Sequence, residues 1–513
     1  MTRFAEGWRA AGLMMHATAL PGPYGIGDFG AEAHRLAEVL KKAGLTFWQM
    51  LPVVPASPAL GNSPYSAVSA FAGHELLISP DLLVRDGWLT ETEAAGFQIP
   101  QSSQADFEAV IRSKKALLDL IFSREAGRLE DNEAFQAFGR TNAAWLNDYA
   151  FYAAAKEDQG GRPWTEWPGE IKHREDWALA RDGSRLARPI LRQKLGQFFF
   201  YRQLSELKEA FNRQGLALIG DTAFYLNLDS SDVWSKPDLF ELDNSGRPLQ
   251  VAGVPPDYFS QDGQLWGSPV YRWPSHQNSG FAWWKHRLSH SLAYFDWTRL
   301  DHFRAMAGFW SVPAGSETAA SGHWVPSPGW ELFRDLAEGG PLNIIAEDLG
   351  VITPDVTLLR QTFQMPGMRV LQFGFGPDQP LSLHTPFRIE PDNFVYAGTH
   401  DNNTARGWFR QDLSALGRRQ LAELAGGPVT EENAAWHLTR LAWLSPGACA
   451  LTNLPDLLNL DEKSRFNTPG TAWGNWGWRA ERFPEDRVLE RLGELTALAG
   501  RDNMAHPNIL TYG

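Results

Sequence analysis

Acidic residues stand at the ends of four short apolar runs in the sequence. Asp221 closes the run LALIGD and Asp301 closes YFDWTRLD. The pair Glu347 and Asp348 closes LNIIAED, and Asp401 follows NFVYAGTH. A single acid in such a place more often caps a helix or satisfies loop amides. If the runs are strands of one parallel sheet, however, their carboxyl ends meet at one edge, and the acids are predicted to share a site.

Two carboxyl groups at such an edge could divide the work of cleaving a glycosidic bond. One must be ionised to attack or stabilise the sugar carbon, and the other must be protonated to donate to the leaving oxygen. Buried acids of like charge need polar or cationic companions to remain ionised. Asp301 follows Arg299 by two residues and precedes His302 and Arg304, which favours the ionised role for Asp301. Glu347, on the next strand-helix unit, is then the candidate for the acid.

Eight apolar runs are predicted as the strands that position these acids. Short apolar runs bounded by polar turns are typical of strands that are covered on both faces. Helical periodicity follows several of them, at 31–43, 354–362 and 415–424, with Thr353 as an expected N-cap. This alternation predicts an α/β fold with a parallel sheet, and eight units predict a (β/α)₈ barrel. The predicted strands are 12–17, 46–54, 216–221, 294–301, 342–348, 368–375, 393–400 and 448–454.

The chain of 513 residues is longer than such a barrel requires, which is typically about 250 residues. The segment 80–200 is charged and mostly helical in its periodicity, whereas 227–293 is rich in Pro, Gly, Trp and Tyr and is predicted as loops covering the cleft. Both segments follow predicted strands, on the face where barrel enzymes build their active sites. We therefore predict one catalytic barrel, 1–513, interrupted by a helical insertion and a loop-rich insertion.

Composition and charge exclude several classes of partner. The formal net charge is −13, and an acidic surface repels phosphate backbones and anionic lipid, so neither nucleic acid nor a membrane is expected as a partner. The N-terminus shows no signal peptide, and no run approaches the roughly 20 apolar residues that span a bilayer. The single cysteine, Cys449, cannot form an internal disulfide, which favours a cytoplasmic location.

Other kinds of active site have little support in the sequence. The pattern Gly25-Ile-Gly27-Asp-Phe-Gly30 matches a dinucleotide-binding loop, but prolines separate it from the preceding strand and no acid stands near position 50. HExxH, His-x-His and cysteine-cluster motifs are absent from the sequence, so no metal or other cofactor is expected. The sequence also lacks the G-x-S-x-G motif of a serine nucleophile.

Eight stretches along the chain form a recognisable pattern. They are LPGPYGIGDFG (20–30), FWQMLPVVP (47–55), NSPYSAVSAFAGHELLISPDLL (62–83), GVPPDYFSQDGQLWGSPVYRW (253–273), RLDHFRA (299–305), AEDLGVITPDV (346–356), GTHDNNT (398–404) and FNTPGTAWGNWGWR (466–479). In this order they resemble the amylomaltases, bacterial 4-α-glucanotransferases that are related to plant disproportionating enzyme and form a branch of the α-amylase clan. The resemblance runs almost from end to end of the chain.

The resemblance implies a role for each acid. Asp301 corresponds to the nucleophile, Glu347 to the acid/base, and Asp401 to a third acid that grips sugar hydroxyls and distorts the ring. The chain departs from the family pattern at Asn403, where an acid is usual, and at Ala305, where a glycine is usual. These departures bear on the detailed hydroxyl contacts. The substrate-binding positions implied by the resemblance are Arg299, His400, Asp221, Ser63, Tyr65, Asp257, Tyr258, Phe259 and Trp266.

The resemblance also implies the reaction. The expected activity is transfer of α-1,4-glucan segments between maltooligosaccharides, starch or glycogen chains, with glucose as an acceptor, by a retaining double displacement through a covalent glycosyl-enzyme. An α-glucan hydrolase with the same carboxylates is the alternative within this class, because the two reactions differ only in whether water or a sugar hydroxyl attacks the intermediate. A non-catalytic glucan-binding protein is a more distant alternative, since such relatives normally lose one of the catalytic acids.

Overall fold

The eight predicted apolar runs all form strands in the structure, a computed structural model that describes residues 8–256 and 261–502. Four further strands complete the set found in these two ranges. In chain order the strands are β1 Ala10–Met14, β2 Phe47–Gln49, β3 Ala217–Thr222, β4 Gln250–Val254, β5 Gln264–Pro269, β6 Trp297–Leu300, β7 Gly308–Pro313, β8 His323–Pro326, β9 Ile344–Ala346, β10 Gly367–Val370, β11 Asn393–Tyr396 and β12 Cys449–Asn453.

The eight predicted strands form one parallel sheet in the order β10-β11-β12-β1-β2-β3-β6-β9. The two ends of this sheet come together where the amide of Ala346, at the end of β9, donates to the carbonyl of Pro366, just before β10, at 2.8 Å. The sheet is thus an almost closed barrel, and the predicted (β/α)₈ fold is confirmed.

Side chains from all eight strands fill the interior of the barrel. This packing makes the centre a core rather than a pore. Gly12 is needed for the close approach of β1 to β2, because a Cβ at this position would lie 2.8 Å from both the Cβ and the carbonyl oxygen of Phe47. The interior residues are Ala10, Met14, Phe47, Ala217, Ile219, Trp297, Ile345, Met368, Val370, Phe394, Tyr396, Cys449 and Leu451.

The three helices predicted between strands are present as Ala31–Lys42, Pro354–Thr362 and Ala415–Ala425. Thr353 stands at the N-cap position of the second one, but its side chain accepts no bond from a helix amide. The reason is that its hydroxyl accepts from Arg304 instead, at 3.0 Å. Further helices between or after the barrel strands are Gly329–Ala337, Ala405–Gly407, Ala434–Leu444, Leu454–Leu457 and Asp486–Leu498.

Most of the predicted helical insertion is indeed helical. Its last helix, Ala187–Asn212, continues across position 200 and leads directly into β3, so the predicted boundary falls inside a helix. None of the helices in the described ranges is both long and apolar enough to cross a membrane. The helices of this insertion are Pro80–Arg85, Glu91–Ala95, Phe107–Glu125, Glu133–Thr141, Ala143–Asp158, Gly169–Lys172, Asp176–Arg185 and Ala187–Asn212.

The segment predicted as loops, 227–293, contains more regular structure than expected. It holds the helices Ser231–Ser235, Trp273–Asn278 and Ala282–Tyr294 and the strands β4 and β5. These two strands join β7 and β8 in an antiparallel sheet of order β5-β4-β7-β8. Because most of β5 is exposed, its sequence lacks the alternation of apolar and polar residues that would have indicated a strand.

Candidate active site

Arg299 connects two of the predicted acids at the carboxyl ends of β3 and β6. Asp221 and Arg299 are direct neighbours in the register of these strands. Arg299 Nη1 donates to both carboxylate oxygens of Asp221, at 2.9 and 2.8 Å, and Nη2 donates to Asp301 Oδ1 at 2.8 Å. Burial raises the pKa of Asp221 and would lower that of Arg299. The two carboxylates outweigh this second effect and raise the pKa of Arg299, so the guanidinium stays charged.

Glu347, at the end of β9, is held by backbone amides rather than by a cation. Its Oε2 accepts from the amide of His302 at 2.7 Å and its Oε1 from the amide of Leu349 at 3.0 Å. Burial raises the pKa of Glu347 to about 8; the charge of Asp301 adds to this rise, and Arg299 and the two amides oppose it. Glu347 therefore keeps its proton at neutral pH.

His302 has a left-handed backbone conformation, with φ 49° and ψ 46°. This is uncommon for a residue other than glycine. It occurs immediately after Asp301 and directs the backbone amide of His302 to the carboxyl group of Glu347. The imidazole ring is covered by Trp266, whose ring centroid lies 4.8 Å away in an edge-on arrangement. Burial lowers the pKa of His302 to about 4, so this ring is neutral beside the two acids.

The third predicted acid, Asp401, is half exposed, with 49% of its side chain accessible. His400 Nε2 lies 3.4 Å from Asp401 Oδ2, and Asn467 Nδ2 donates to Oδ1 at 2.7 Å. The surrounding protein removes part of the carboxylate's water, which raises its pKa, but His400 and Asn467 outweigh this and the pKa of Asp401 lies below its usual value. Asp401 is therefore ionised.

Tyr65 joins the Asp221 side of the site to the Asp401 side. Its hydroxyl donates to Asp221 Oδ2 at 2.7 Å, and its ring stacks on that of His400 with 5.0 Å between centroids. Trp476 packs against both rings, at 5.9 and 6.0 Å. These contacts bring three of the recognised stretches of sequence to one place, next to Asp221.

The remaining predicted residues are distributed as follows. Ser63 is partly buried beside Tyr65, whose amide donates to the Ser63 hydroxyl at 3.4 Å. Trp266 covers His302 and is 40% exposed. The predicted residues of the covering loop, Asp257, Tyr258 and Phe259, lie outside the described residues.

The two departures from the family pattern are both buried. The side-chain amide of Asn403 donates to Asp412 Oδ2 at 3.0 Å, and its backbone carbonyl accepts from the side-chain amide of Gln372. Ala305 has no exposed surface. Both residues are thus engaged in packing and internal hydrogen bonds.

Asp348, next to Glu347 in the sequence, is turned away from the mouth of the barrel, which is the end where the carboxyl ends of the strands carry Asp221, Asp301 and Glu347. It accepts from the amide of Met368 at 2.7 Å and from Arg369 at 3.0 Å, and Arg360 lies 3.4 Å away. This strand-end acid therefore supports the backbone between β9 and β10.

Sequence reasoning did not single out Asn467 and Arg465. Arg465 donates to the backbone carbonyl of Asp401 at 2.7 Å, and Asn467 donates to the carboxylate of the same residue. Asn467 lies within the recognised stretch 466–479, so its membership of that stretch was the available signal. In the described part of the chain, no group of three or more His, Cys, Asp or Glu residues is arranged to hold a metal ion.

The chain is similar to a well-defined set of known proteins. A family model described as 4-alpha-glucanotransferase matches residues 15–484. The 4-alpha-glucanotransferase of Aquifex aeolicus is 42% identical over 96% of this chain and 100% of its own length, and that of Thermus thermophilus is 41% identical over 96% and 98%. A chloroplastic/amyloplastic relative from Arabidopsis thaliana is 39% identical over 97% and 86%. The solved amylomaltase from Streptococcus agalactiae in complex with acarbose has a TM-score of 0.91 and 35% identity, with coverage of 96% and 100%.

Proposed function

The chain belongs to the 4-alpha-glucanotransferase family, and we propose that it transfers glucan segments with Asp301 as the nucleophile and Glu347 as the acid/base. The observation that supports this assignment is the contrast between the two carboxyl groups in one mouth. Asp301 is bonded to the charged Arg299, whereas Glu347 is buried against amides and its pKa is raised to about 8. A retaining glycosidic mechanism needs one ionised and one protonated carboxyl group.

In the first half of the reaction, Asp301 attacks C1 of the donor sugar. Arg299 holds Asp301 Oδ1, which leaves Oδ2 for the attack. The bond between C1 and the glucosidic oxygen breaks, and Glu347 gives its proton to that oxygen as the shortened glucan leaves. The product of this step is an ester between C1 and Asp301.

In the second half, the ionised Glu347 accepts the proton of the acceptor's 4-hydroxyl group. The hydroxyl oxygen attacks C1, the ester bond to Asp301 breaks, and a new α-glucosidic bond forms. Two inversions at C1 give net retention. No glucosidic bond is lost overall, so the number of reducing ends is unchanged.

The other residues of the mouth bind and orient the sugar in this proposal. Asp401, which is half exposed and ionised, grips sugar hydroxyls, and His400 orients it. Trp266 offers an exposed ring face for stacking on a sugar. Further substrate-binding roles are proposed for Asp221, Ser63 and Tyr65 along the groove and for Asp257, Tyr258 and Phe259 in the covering loop.

Acceptors are proposed to include free glucose as well as maltooligosaccharides. The half-exposed Asp401 and the exposed Trp266 leave room for a sugar of either kind next to the acids. A cytoplasmic site of action is part of the same proposal. It is supported by the single cysteine, which is buried in the barrel interior and needs no oxidising compartment.

Incubation with maltotriose tests transfer against hydrolysis. We expect glucose together with a ladder of shorter and longer maltooligosaccharides, while the concentration of reducing ends barely changes. Holding an acceptor hydroxyl in line can be worth about 7–11 kcal/mol of barrier, which is enough to overcome the much higher concentration of water. A rise in reducing ends that matches maltotriose consumption would instead establish the hydrolase alternative.

A further inference from the structure

The two amides that donate to Glu347 lie on different loops. His302 belongs to the loop after β6, which also carries Asp301, and Leu349 belongs to the loop that follows β9. The amide of Phe303 also donates to the backbone carbonyl of Glu347, at 3.1 Å. The orientation of the Glu347 carboxyl group therefore depends on how these two loops are held against each other.

A side chain links the same two loops a short distance from the acids. Arg304, on the first loop, donates from Nη1 to Thr353 Oγ1 at 3.0 Å. Thr353 ends the second loop, immediately before the helix Pro354–Thr362. The same hydroxyl faces Asp355 and lowers the pKa of that carboxyl group.

The ring of Trp324 packs against a face of the Arg304 guanidinium. The central carbon of the guanidinium lies 3.7 Å from the centroid of the Trp324 ring, a close cation–π contact. The ring of Trp310, on the neighbouring strand β7, packs edge-on against Trp324 with 5.3 Å between centroids. The unexpected antiparallel sheet β5-β4-β7-β8 therefore supports the arginine that joins the two loops.

We propose that Arg304 is a positioning residue for glucan transfer, because it ties the loop of Asp301 to the loop of Glu347 and so keeps both amides on the Glu347 carboxyl group. This inference rests on the proposed role of Glu347 as the acid/base. The charges that act most strongly on Glu347 are those of Arg299 and Asp301. Arg304 therefore acts through the geometry of the loops, with Thr353 as its partner.

The test compares Arg304→Met and Thr353→Val with the wild-type protein on maltotriose. Both variants remove the link but keep most of the side-chain volume. We expect kcat to fall by about tenfold or more with KM within about twofold, because misplacing a catalytic group lowers the rate of the chemical step. Amide donation favours the ionised form of a carboxyl group, so its loss should raise the pKa of Glu347. The fall of kcat/KM at alkaline pH, the alkaline limb of its pH profile, should then move to higher pH.

Three controls accompany these variants. Thr353→Ser retains the hydroxyl and should restore most of the rate and the position of the limb. Arg334→Met removes an exposed arginine of the helix Gly329–Ala337, whose side chain is 70% exposed, and should behave as wild type. The double variant Arg304→Met with Thr353→Val should lose no more than the more impaired single variant, because partners in one interaction are not additive. Thermal unfolding checks that each variant is folded.

A lower kcat with an unmoved alkaline limb, or additive losses in the double variant, would overturn the positioning role and leave only a structural one. If Arg304→Met does not fold, Thr353→Val decides the question. Glu347→Gln separates this inference from the proposed function. If Glu347→Gln retains full activity on glucans, the proposed acid/base role fails; if it is inactive while Thr353→Val is unaffected, only the role of Arg304 fails.

Discussion

The two halves of the mouth hold their carboxyl groups by different means. On the side of β3 and β6, Arg299 bonds to both Asp221 and Asp301. On the side of β9, Glu347 accepts two backbone amides and has no cation within hydrogen-bonding distance among the described residues. In the charged half Arg299 opposes the effect of burial on Asp221, whose pKa is raised to about 7, whereas in the amide half burial raises the pKa of Glu347 to about 8.

This difference teaches that neighbouring acids acquire opposite roles from their surroundings and not from their residue type. Glu347 and Asp348 illustrate the point most closely, because they are adjacent in the chain. Asp348 receives Arg369 and Arg360 and supports the backbone, whereas Glu347 receives neither and keeps its proton. In our account, the placement of a single arginine, Arg299, decides which carboxyl group of the mouth attacks the sugar.

The largest loss of activity is expected from replacing Asp301, the proposed nucleophile in the charged half. Asp301→Asn should reduce transfer by at least about 10³-fold, because an amide cannot form the sugar ester. The initial rate of maltotriose disproportionation measures the loss. Asp486→Asn, a change of an exposed carboxylate whose side chain is 79% accessible, is the matched control and should keep full activity. A folded Asp301→Asn protein with a tenth of the wild-type rate would exclude Asp301 as the nucleophile.

The next effect is expected from the amide half. Glu347→Gln should lower the rate on natural glucans by about 10²–10⁴-fold, the usual worth of a general acid. A maltosyl fluoride donor, whose leaving group needs no proton, should lose much less in the first step. Release of fluoride in a single turnover gives this rate. Equal losses on both donors would argue against the acid role and remove the contrast between the two halves.

The pH dependence should report the raised pKa of Glu347. Because the first step requires the protonated form, kcat/KM should stay level through neutral pH and then fall by about tenfold per pH unit above pH 8. The profile is measured on maltotriose and, for comparison, on the fluoride donor in its first step, where the limb should be absent. An identical alkaline limb for both donors would assign this ionisation to another group.

The smallest effect is expected from a change that leaves Arg299 in place. Tyr65→Phe removes the hydroxyl that donates to Asp221 but keeps the ring that stacks on His400. We expect kcat/KM to fall by less than about tenfold and the free energy of unfolding by about 1.5–3 kcal/mol, the cost of one hydrogen bond to a charged group. Steady-state kinetics and denaturant unfolding measure the two quantities. A loss as large as that of Asp301→Asn would mean that Tyr65, and not Arg299, organises the charged half.

Much of the barrel could be predicted from the sequence because its strands are short, apolar and buried on both faces. Acids such as Asp221 and Asp301 were visible for the same reason, since each ends such a run. The confirmed helix Pro354–Thr362 had clear periodicity and a proline in its first turn. These features are local in the chain, so a sequence pattern is enough to indicate them.

The rest depends on contacts that the sequence pattern does not encode. Asn467 reaches Asp401 across 66 residues, and no local periodicity indicates such a pair. The strand β5 is largely exposed, so it lacked the signal of a buried strand, and its neighbour β4 pairs with the distant strand β7. The left-handed turn at His302 follows from the need to direct its amide to Glu347, which is a property of the assembled mouth.

Trapping the glycosyl-enzyme is the most direct test of the contrast between the two halves. Glu347→Gln protein is mixed with maltotriosyl fluoride, quenched in acid, digested and analysed by mass spectrometry. Fluoride leaves without a proton, but the missing base slows the second step, so the intermediate should accumulate. We expect one maltotriosyl group on the peptide that contains Asp301. A label on Asp221 or Asp401, or fluoride release without any labelled peptide, would contradict the assignment of Asp301 as the nucleophile.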